Sequence, residues 1–282
     1  MNLIPVESLG DPRVADYANL RDAELMQRAD PLDAGAHKGL FIAEGELVLR
    51  RLVTSAFATK SVLTTEKRLK TIEDALGRLP AETPVYLASQ EVMNGVVGFN
   101  MHRGVLAIGR RREDADPGEL LKRIGPFLIL EDTVNHDNLG GVFRNAAALG
   151  GPGCAVLLSP RCADPLYRKS LRVSMGHVLS VPYARLTDWP EDIAKLRAAG
   201  VRLIALTPRA DAADIGAAGT EIAKSGTRVA LMLGSEGPGL TDPAMAAADI
   251  LARIPMHTPE GVEVDSLNVH VAAAIALHRL VR

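Results

Sequence analysis

The chain has 282 residues, with 32 Lys and Arg against 34 Asp and Glu, so it exceeds one ordinary domain in length, and its net charge predicts no general affinity for a polyanion. Its two cysteines are too few for a disulfide framework, and no cysteine or histidine pair stands at zinc-ligand spacing, which favours a reducing cytoplasm and no metal site. The first thirty residues lack the apolar core of a signal sequence and no apolar run reaches about 18 residues, so we expect neither secretion nor a membrane span.

The first third of the chain alternates short apolar runs with helical patterns, which predicts a small α/β domain. Strands are expected at LFIAEG (40–45), SVLTT (61–65), PVYLAS (84–89) and GVLAIGRR (104–111), with a helix at ELVLRRLVTSA (46–56) and a charged helix after SVLTT. The stretch RRREDADPG (110–118) has the composition of a linker. We therefore predict one domain over residues 1–115 and a second over 116–282.

Beyond the linker, further apolar runs alternate with helical patterns. They are FLILE (127–131), CAVLLS (154–159), HVLSVPY (177–183), VRLIALT (201–207), RVALMLG (228–234) and ILARIPM (250–256). Nearly continuous apolar strands separated by helices predict an α/β domain with a mostly parallel sheet and helices on both faces. In such sheets ligands bind in loops beyond the carboxyl ends of the strands, and three of these strand ends carry unusual residues.

The first of these loops is EDTVNHDNLGGVFRNAAALG (131–150), a polar turn that runs into an Ala-rich helix. Asn138 is expected near the start of this helix, where a plain N-cap is an alternative to a functional role. Arg144 follows six residues later, still within the first two turns but on a different face. A solvated surface arginine is the alternative interpretation of Arg144.

The second loop, LGSEGPGL (233–240), directly follows the apolar strand RVALM. Its glycines stand in the spacing G-x-x-G-x-G, which differs from the dinucleotide fingerprint G-x-G-x-x-G and disfavours a nicotinamide dehydrogenase. Glycines allow close backbone approach to a ligand. A tight turn is the alternative, but it leaves Glu236 unexplained.

The third loop joins the strand ILARIPM to the apolar helix VHVAAAIALHRLV (269–281). We expect that helix to start near Asp265 or Ser266 and to pack deeply. Ser266 and Asn268 would then lie in its first turn, where free amides and small polar side chains meet a ligand.

These three loops resemble the signature motifs of the SpoU family, in the SPOUT class of RNA 2′-O-ribose methyltransferases. The matching segments are N-L-G-x-x-x-R-N-A-x-x-x-G at 138–150, L-G-S-E-G-x-G-L at 233–240, and I-P-M with S-L-N-V at 254–256 and 266–269, in the family's order and approximate spacing. LYRKSLRVSMGHVLSVPY (166–183) is also similar to the family, so the resemblance covers roughly residues 125 to 282. FIAEGELVL (41–49) and HRGVLAI (102–108) resemble its accessory substrate-binding domain more weakly.

The resemblance implies methyl transfer from S-adenosylmethionine to a ribose 2′-hydroxyl of structured RNA, with tRNA and rRNA equally open. It further implies a deep trefoil knot made by the final helix and a homodimer packed through the knotted domain. The residues that match the family's catalytic site are Arg144, Asn138, Glu236, Ser266 and Asn268. Those that match its cofactor site are Leu206, Leu233, Gly234, Glu236, Gly239, Ile254, Met256, Ser266 and Leu267, for whose apolar members core packing is the alternative.

RNA binding requires local cations because phosphate neutralisation supplies most nonspecific affinity. We predict this role for Arg103, Arg168, Lys169 and Arg172, with a solvated charged face as the alternative. Two rival functions remain open at this point. One is a catalytically inactive RNA-binding protein of the same fold, and the other is a small-molecule enzyme that uses the glycine loop for a nucleotide.

Overall fold

The computed structural model describes residues 1–27, 39–101, 104–257 and 266–281. The chain forms two compact units, the first comprising Met1–Glu113 with Pro165–Ser180 and the second comprising Asp114–Asp164 with Val181–Arg282. The break after Glu113 lies close to the linker seen in the sequence. Pro165–Ser180, in contrast, groups with the first unit although the sequence assigned it to the second domain.

The first unit is a mixed five-stranded sheet with helices. Its elements are β1 (Asn2–Val6), a 3-10 helix (Pro12–Leu20), α1 (Asp22–Gln27), β2 (Leu40–Glu44), α2 (Glu46–Leu52), β3 (Thr59–Thr64), α3 (Glu66–Leu76), β4 (Pro84–Ala88), α4 (Gln90–Val97) and β5 (Val105–Arg110). The strand order is β1-β4-β3-β5-β2, with β1, β4 and β3 parallel and β5 antiparallel to both β3 and β2. All four strands predicted in this region are present.

Strand β1 was not predicted from the sequence. It is an edge strand in which Val6 alone is buried, so it lacks the apolar alternation that marks a half-covered strand. Pro5 also weakens a strand pattern, although an edge position tolerates the missing donor.

The second unit is a seven-stranded sheet. Its elements are α5 (Pro117–Leu120), β6 (Phe127–Leu130), α6 (His136–Leu149), β7 (Ala155–Leu158), β8 (Tyr183–Arg185), α8 (Ile193–Ala198), β9 (Val201–Leu206), β10 (Ala213–Asp214), α9 (Ile215–Ser225), β11 (Arg228–Leu233), α10 (Asp242–Ala246), β12 (Ile250–Arg253) and α11 (Val269–Leu280), while α7 (Arg168–Val173) belongs to the first unit. The strand order is β10-β12-β9-β11-β6-β7-β8, and every pairing of described strands in it is parallel.

Both faces of this sheet are covered, as the continuous apolar strands predict. All four residues of β6 are fully buried, and alternate ones, Phe127 and Ile129, join a core with α5, α8 and α10. Helix α11 contacts β11 and packs between α6 and α9. Burial of each large apolar side chain stabilises the fold by about 1.5 to 3 kcal/mol, so β6 anchors the loop that follows it.

One predicted strand was wrong. Of HVLSVPY (177–183), residues His177–Leu179 form a 3-10 helix, and the strand is Tyr183–Arg185. The apolar pattern arises because Val178 and Leu179 are buried within that helical turn. Strand β8 is an edge strand that begins just after Pro182.

Helix α11 begins later than predicted. Its N-cap is Asn268, whose side chain accepts a hydrogen bond from the backbone of His270, so Ser266 precedes the helix, and Asp265 lies outside the described residues. Gly141 of α6 allows the close approach of this helix, because a Cβ there would overlap the His270 ring. Ala273 and Ala276 are fully buried along α11. The missing side chain of Gly141 thus lets the first turn of α11 lie against α6.

No helix in the described parts of the chain is both long and apolar enough to cross a membrane.

Candidate active site

A cavity of about 610 Å³ lies in the second unit, at the carboxyl ends of its parallel strands. Strands β12, β9, β11 and β6 are neighbours in the sheet, so the loops that follow them emerge at one edge. The nine residues assigned to the cofactor from sequence all line this cavity: Leu206, Leu233, Gly234, Glu236, Gly239, Ile254, Met256, Ser266 and Leu267. Asn268 lines it as well. The loops after β11 and β12 therefore converge as the motifs predict.

The glycine loop after β11 is a closed turn. Ser235 and Gly239 exchange backbone hydrogen bonds of 3.2 and 3.1 Å, while Gly237 and Gly239 have positive φ angles of 87° and 75°. A Cβ at Gly234 would overlap the backbone of Gly239 and Leu240. The loop is therefore folded back on itself, which places Glu236 at its tip.

A buried carboxylate ties the base of this loop to the sheet. Glu131, which follows β6 and is 1% exposed, accepts hydrogen bonds of 2.8 Å from both the backbone N–H and the hydroxyl of Thr241. It also accepts a 2.6 Å bond from Trp189 Nε1. Since Thr241 directly follows the glycine loop, Glu131 fixes the position at which that loop ends.

Asn138 links the three motifs through its amide group. It is 2% exposed on α6, and its Nδ2 donates a short hydrogen bond to Glu236. Its Oδ1 accepts a 3.0 Å bond from Asn268 Nδ2 and lies 3.1 Å from His270 Nδ1. Asn138 thus joins the glycine loop to the start of α11.

The charge of Glu236 sets the direction of every bond in this network. A carboxylate only accepts, so the group of Asn138 that faces it is the amino group, and its oxygen faces α11. Asn268 must then present its amino group to Asn138, which leaves the Asn268 oxygen to accept from the backbone of His270 at 3.0 Å. His270 must carry a proton on Nδ1, because its partner there is an oxygen. Each donor therefore has one compatible orientation.

The helix that carries Asn138 starts earlier than a cap at Asn138 would require. Asn135 is the N-cap of α6, accepting from the backbone of Asp137 at 2.8 Å, and its own amino group lies 3.4 Å from Glu236 Oε2. The cap interpretation of Asn138 is therefore wrong. Because Asn135 caps the helix, the Asn138 side chain is available to the network.

Arg144 is not part of the hydrogen-bonded network. It lies six residues beyond Asn138 on α6, about 9 Å further along the helix axis. Its side chain is exposed, and within the described residues it makes no hydrogen bond or ion pair. The described hydrogen bonds of Glu236 and Asn268 are with Asn138, Asn135 and His270, so a role for Arg144 beside them stays a prediction.

Two of the predicted RNA-binding residues are ion-paired within the first unit. Arg168 lies 3.0 Å from Glu44 and 3.6 Å from Asp22, and Arg172 lies 3.4 Å from Glu44. Both carboxylates are buried, so these arginines compensate charges that would otherwise be costly to bury. Lys169 is exposed, and Arg103 lies outside the described residues.

Sequence reasoning missed several residues of the site. Asn135, His270 and Glu131 belong to its hydrogen-bonded framework, and Thr207 and Arg209 line the cavity. The last two directly follow β9, so applying the strand-end rule to VRLIALT as well would have found them. In the described part of the chain, no group of three or more His, Cys, Asp or Glu side chains is arranged to hold a metal ion.

The family profile and the similar proteins all indicate RNA methyltransferases. The profile of the SpoU rRNA Methylase family matches residues 125–278. A tRNA/rRNA methyltransferase of Mycobacterium bovis, itself uncharacterized, is 42% identical over 96% of this chain and 89% of its own length. A 23S rRNA (adenosine(1067)-2′-O)-methyltransferase of Streptomyces azureus is 31% identical over 69% of this chain and 68% of its own.

A solved structure supports the fold. The AdoMet-bound rRNA methyltransferase of Sinorhizobium meliloti superposes with a TM-score of 0.73 at 24% identity, over 99% of this chain and 97% of that one. At this identity the likeness concerns the fold alone.

Proposed function

This chain belongs to the SpoU rRNA methylase family, and we propose that it transfers a methyl group from S-adenosylmethionine to a ribose 2′-hydroxyl of rRNA or tRNA. The observation that carries the proposal is the cavity at the strand ends, whose rim holds Glu236 and Asn268 in one network with Asn138. The name of the Streptomyces azureus relative supports the 2′-oxygen as the acceptor.

The cavity fits the proposed methyl donor. Its volume of about 610 Å³ is within the usual range for small-molecule sites, about 300 to 1,000 Å³. Apolar side chains of Leu206, Leu233 and Ile254 suit the adenine ring, and the loop backbones offer main-chain groups for its edges. S-adenosylmethionine supplies an electrophilic methyl group at a sulfonium centre.

The chain's contribution is mainly positioning. Displacement at a methyl carbon requires the attacking oxygen in line at about 3 to 3.5 Å, and rigid placement of the ribose supplies much of the rate. The Asn138 network fixes Glu236 and Asn268, whose remaining hydrogen-bonding capacity orients the ribose hydroxyl. Ser266, beside Asn268 on the cavity wall, contacts the target nucleotide in this scheme.

Arg144 is assigned to the phosphate next to the target ribose. A guanidinium holds its proton up to about pH 12, so we assign it to clamping phosphate and stabilising the developing oxyanion rather than to removing the ribose proton. Its exposed position suits contact with an RNA backbone. Arg144→Lys keeps the charge but loses the planar fork, so its turnover should fall. A variant with the wild-type rate and unchanged pH dependence would refute the clamp.

The proposal includes a homodimer formed through the second unit and a trefoil knot at α11. Exposed apolar side chains adjoin the network in sequence, with Val134 66%, Leu267 37% and Val271 41% exposed. Covering them against a second copy would remove apolar surface from water. Sedimentation equilibrium should give twice the chain mass of 30.0 kDa, and Val271→Asp should lower it to a single chain mass.

The first unit is proposed to bind the RNA substrate. Lys169 is an exposed cation on helix α7, and the neighbouring Arg168 and Arg172 contact Glu44. Lys169→Ala should raise the KM for RNA with little change in the S-adenosylmethionine Kd, since a lost phosphate contact weakens nucleic-acid binding alone.

The direct test is methyl transfer to ribosomal RNA and tRNA with isotope-labelled S-adenosylmethionine, followed by nuclease digestion and nucleoside analysis. The proposal expects label in 2′-O-methylnucleosides and none in methylated bases, with Asn268→Ala strongly reduced. Label in bases would overturn the ribose assignment. Calorimetric binding of S-adenosylmethionine with no transfer to any RNA pool would favour the inactive RNA-binding alternative.

A further inference from the structure

The cavity contains one acidic and one basic side chain among its described lining residues. The acid is Glu236, at the tip of the glycine loop, and the base is Arg209, just after β9. The rest of the lining is apolar or uncharged, so these two groups determine how a charged ligand is oriented in the cavity.

Arg209 lies in a turn that local hydrogen bonds stabilise. The backbone of Ala212 donates to the Arg209 carbonyl at 3.2 Å, and the Arg209 backbone lies 3.5 Å from Thr207 Oγ1. Since β9 lies between β11 and β12 in the sheet, this turn emerges between the glycine loop and the loop after β12. The position of Arg209 at the cavity is therefore set by the sheet.

The guanidinium of Arg209 has an exchangeable partner. Its Nε and one terminal nitrogen contact the Asp211 carboxylate at 3.0 and 2.8 Å, and the two side chains are 51% and 64% exposed. The hydrogen bond with Asp211 raises the pKa of Arg209, so the group stays cationic. An ion pair this exposed contributes little to stability, so a ligand carboxylate can replace Asp211 at small cost.

We propose, on the basis of the function proposed above, that Arg209 binds the α-carboxylate of the methionine arm of S-adenosylmethionine. That arm carries a carboxylate and an ammonium. The negative charge of Glu236 repels the carboxylate and attracts the ammonium and sulfonium, whereas Arg209 offers the matching fork of donors. The acid and the base of the cavity thus orient the cofactor along its length.

The test is calorimetric titration with two ligands that differ only in the carboxylate: S-adenosylhomocysteine and its decarboxylated analogue. Wild-type protein should bind the first more tightly. Arg209→Gln should weaken the binding of S-adenosylhomocysteine about fivefold to tenfold. It should change the affinity for the analogue by less than about twofold. Arg209→Lys should recover part of the loss.

A matched control is Arg197→Gln, since Arg197 is 50% exposed and paired with Asp249 but does not line the cavity. It should leave both affinities unchanged. Asp211→Asn should bind S-adenosylhomocysteine at least as tightly as wild type, because it removes the competing carboxylate.

Equal losses for both ligands in Arg209→Gln, or no loss for either, would overturn the assignment and leave the proposed function intact. A rise in the KM for RNA with unchanged S-adenosylhomocysteine affinity would also overturn the assignment, because it would indicate that Arg209 contacts RNA phosphate. Wild-type protein that binds neither ligand would refute the proposed function itself, and the Arg209 assignment with it.

Discussion

Replacing Asn138 with Ala tests whether the three motifs act as one unit. The variant loses the bond to Glu236 and the contacts with Asn268 and His270. A single intramolecular hydrogen bond contributes about 0.5 to 1.5 kcal/mol, so the three together correspond to about 1.5 to 4.5 kcal/mol of unfolding free energy. Methyl transfer should fall by about a hundredfold or more, since the groups at the cavity rim lose their fixed orientation.

Asn145→Ala is the matched control. Asn145 lies on the same helix two turns later and also joins α6 to α11, through one 2.5 Å bond to the His270 carbonyl, but it does not line the cavity. Loss of this hydrogen bond should lower the unfolding free energy by about 1 kcal/mol and leave the rate of methyl transfer nearly unchanged.

Urea unfolding can be followed through Trp189, the single tryptophan of the chain, which lies in the second unit and bonds to Glu131. Single-turnover transfer gives the rate at saturating cofactor. If Asn138→Ala and Asn145→Ala lose the same stability and the same activity, the network does not couple the motifs and the reasoning fails.

Three further predictions concern single sites of the second unit. Gly234→Ala should abolish S-adenosylmethionine binding in calorimetry, because the added Cβ overlaps backbone across the loop, and retained affinity would contradict that packing. Cys154 and Cys162 should resist a thiol reagent in native protein, since burial raises the pKa of both thiols, that of Cys154 to about 12, and rapid labelling would contradict this. Asp132→Asn should lower the unfolding free energy at neutral pH by no more than about 1 kcal/mol. Hydrogen bonds from Arg161, and then Ser159, lower the Asp132 pKa, so this difference should disappear as acid titration passes that pKa, and a difference that persists in acid would count against the ion pair.

The apolar strands of the second unit could be predicted because burial on both faces leaves little ambiguity. FLILE, VRLIALT and RVALMLG contain β6, β9 and β11. The prediction of HVLSVPY failed because a buried 3-10 turn and a short strand give the same apolar run, which periodicity alone does not separate.

More of the cavity lining than of the hydrogen-bond network at its rim could be predicted from the sequence. A strand-end motif marks where a loop emerges, and Gly234 and Ile254, which we predict to contact the cofactor, both line the cavity. Hydrogen-bond partners depend on distances between loops far apart in sequence. The bond of Asn138 to Glu236 and the Nδ1 contact of His270 therefore had no local signal. The cap at Asn135, in contrast, is a local bond to the backbone two residues later.

Charged residues were the least predictable. Arg168 lies in a cluster of cations typical of an RNA contact. Its partners Glu44 and Asp22, however, lie more than a hundred positions away in the chain. For Arg209 the charge pattern is uninformative, because the neighbouring Asp211 neutralises it, and only the position after β9 marks the residue. Whether a cation serves the fold or a ligand depends on which carboxylates tertiary structure brings beside it.

We propose that the chain methylates ribose in RNA at the rim of the second-unit cavity. The most direct measurement is a map of ribose methylation across total RNA from cells that lack the gene, complemented with the wild-type chain or with Asn138→Ala. A 2′-O-methyl site should disappear without the gene, return with the wild type and stay absent with the variant. A ribose-methylation map that is the same in all these cells would contradict the account.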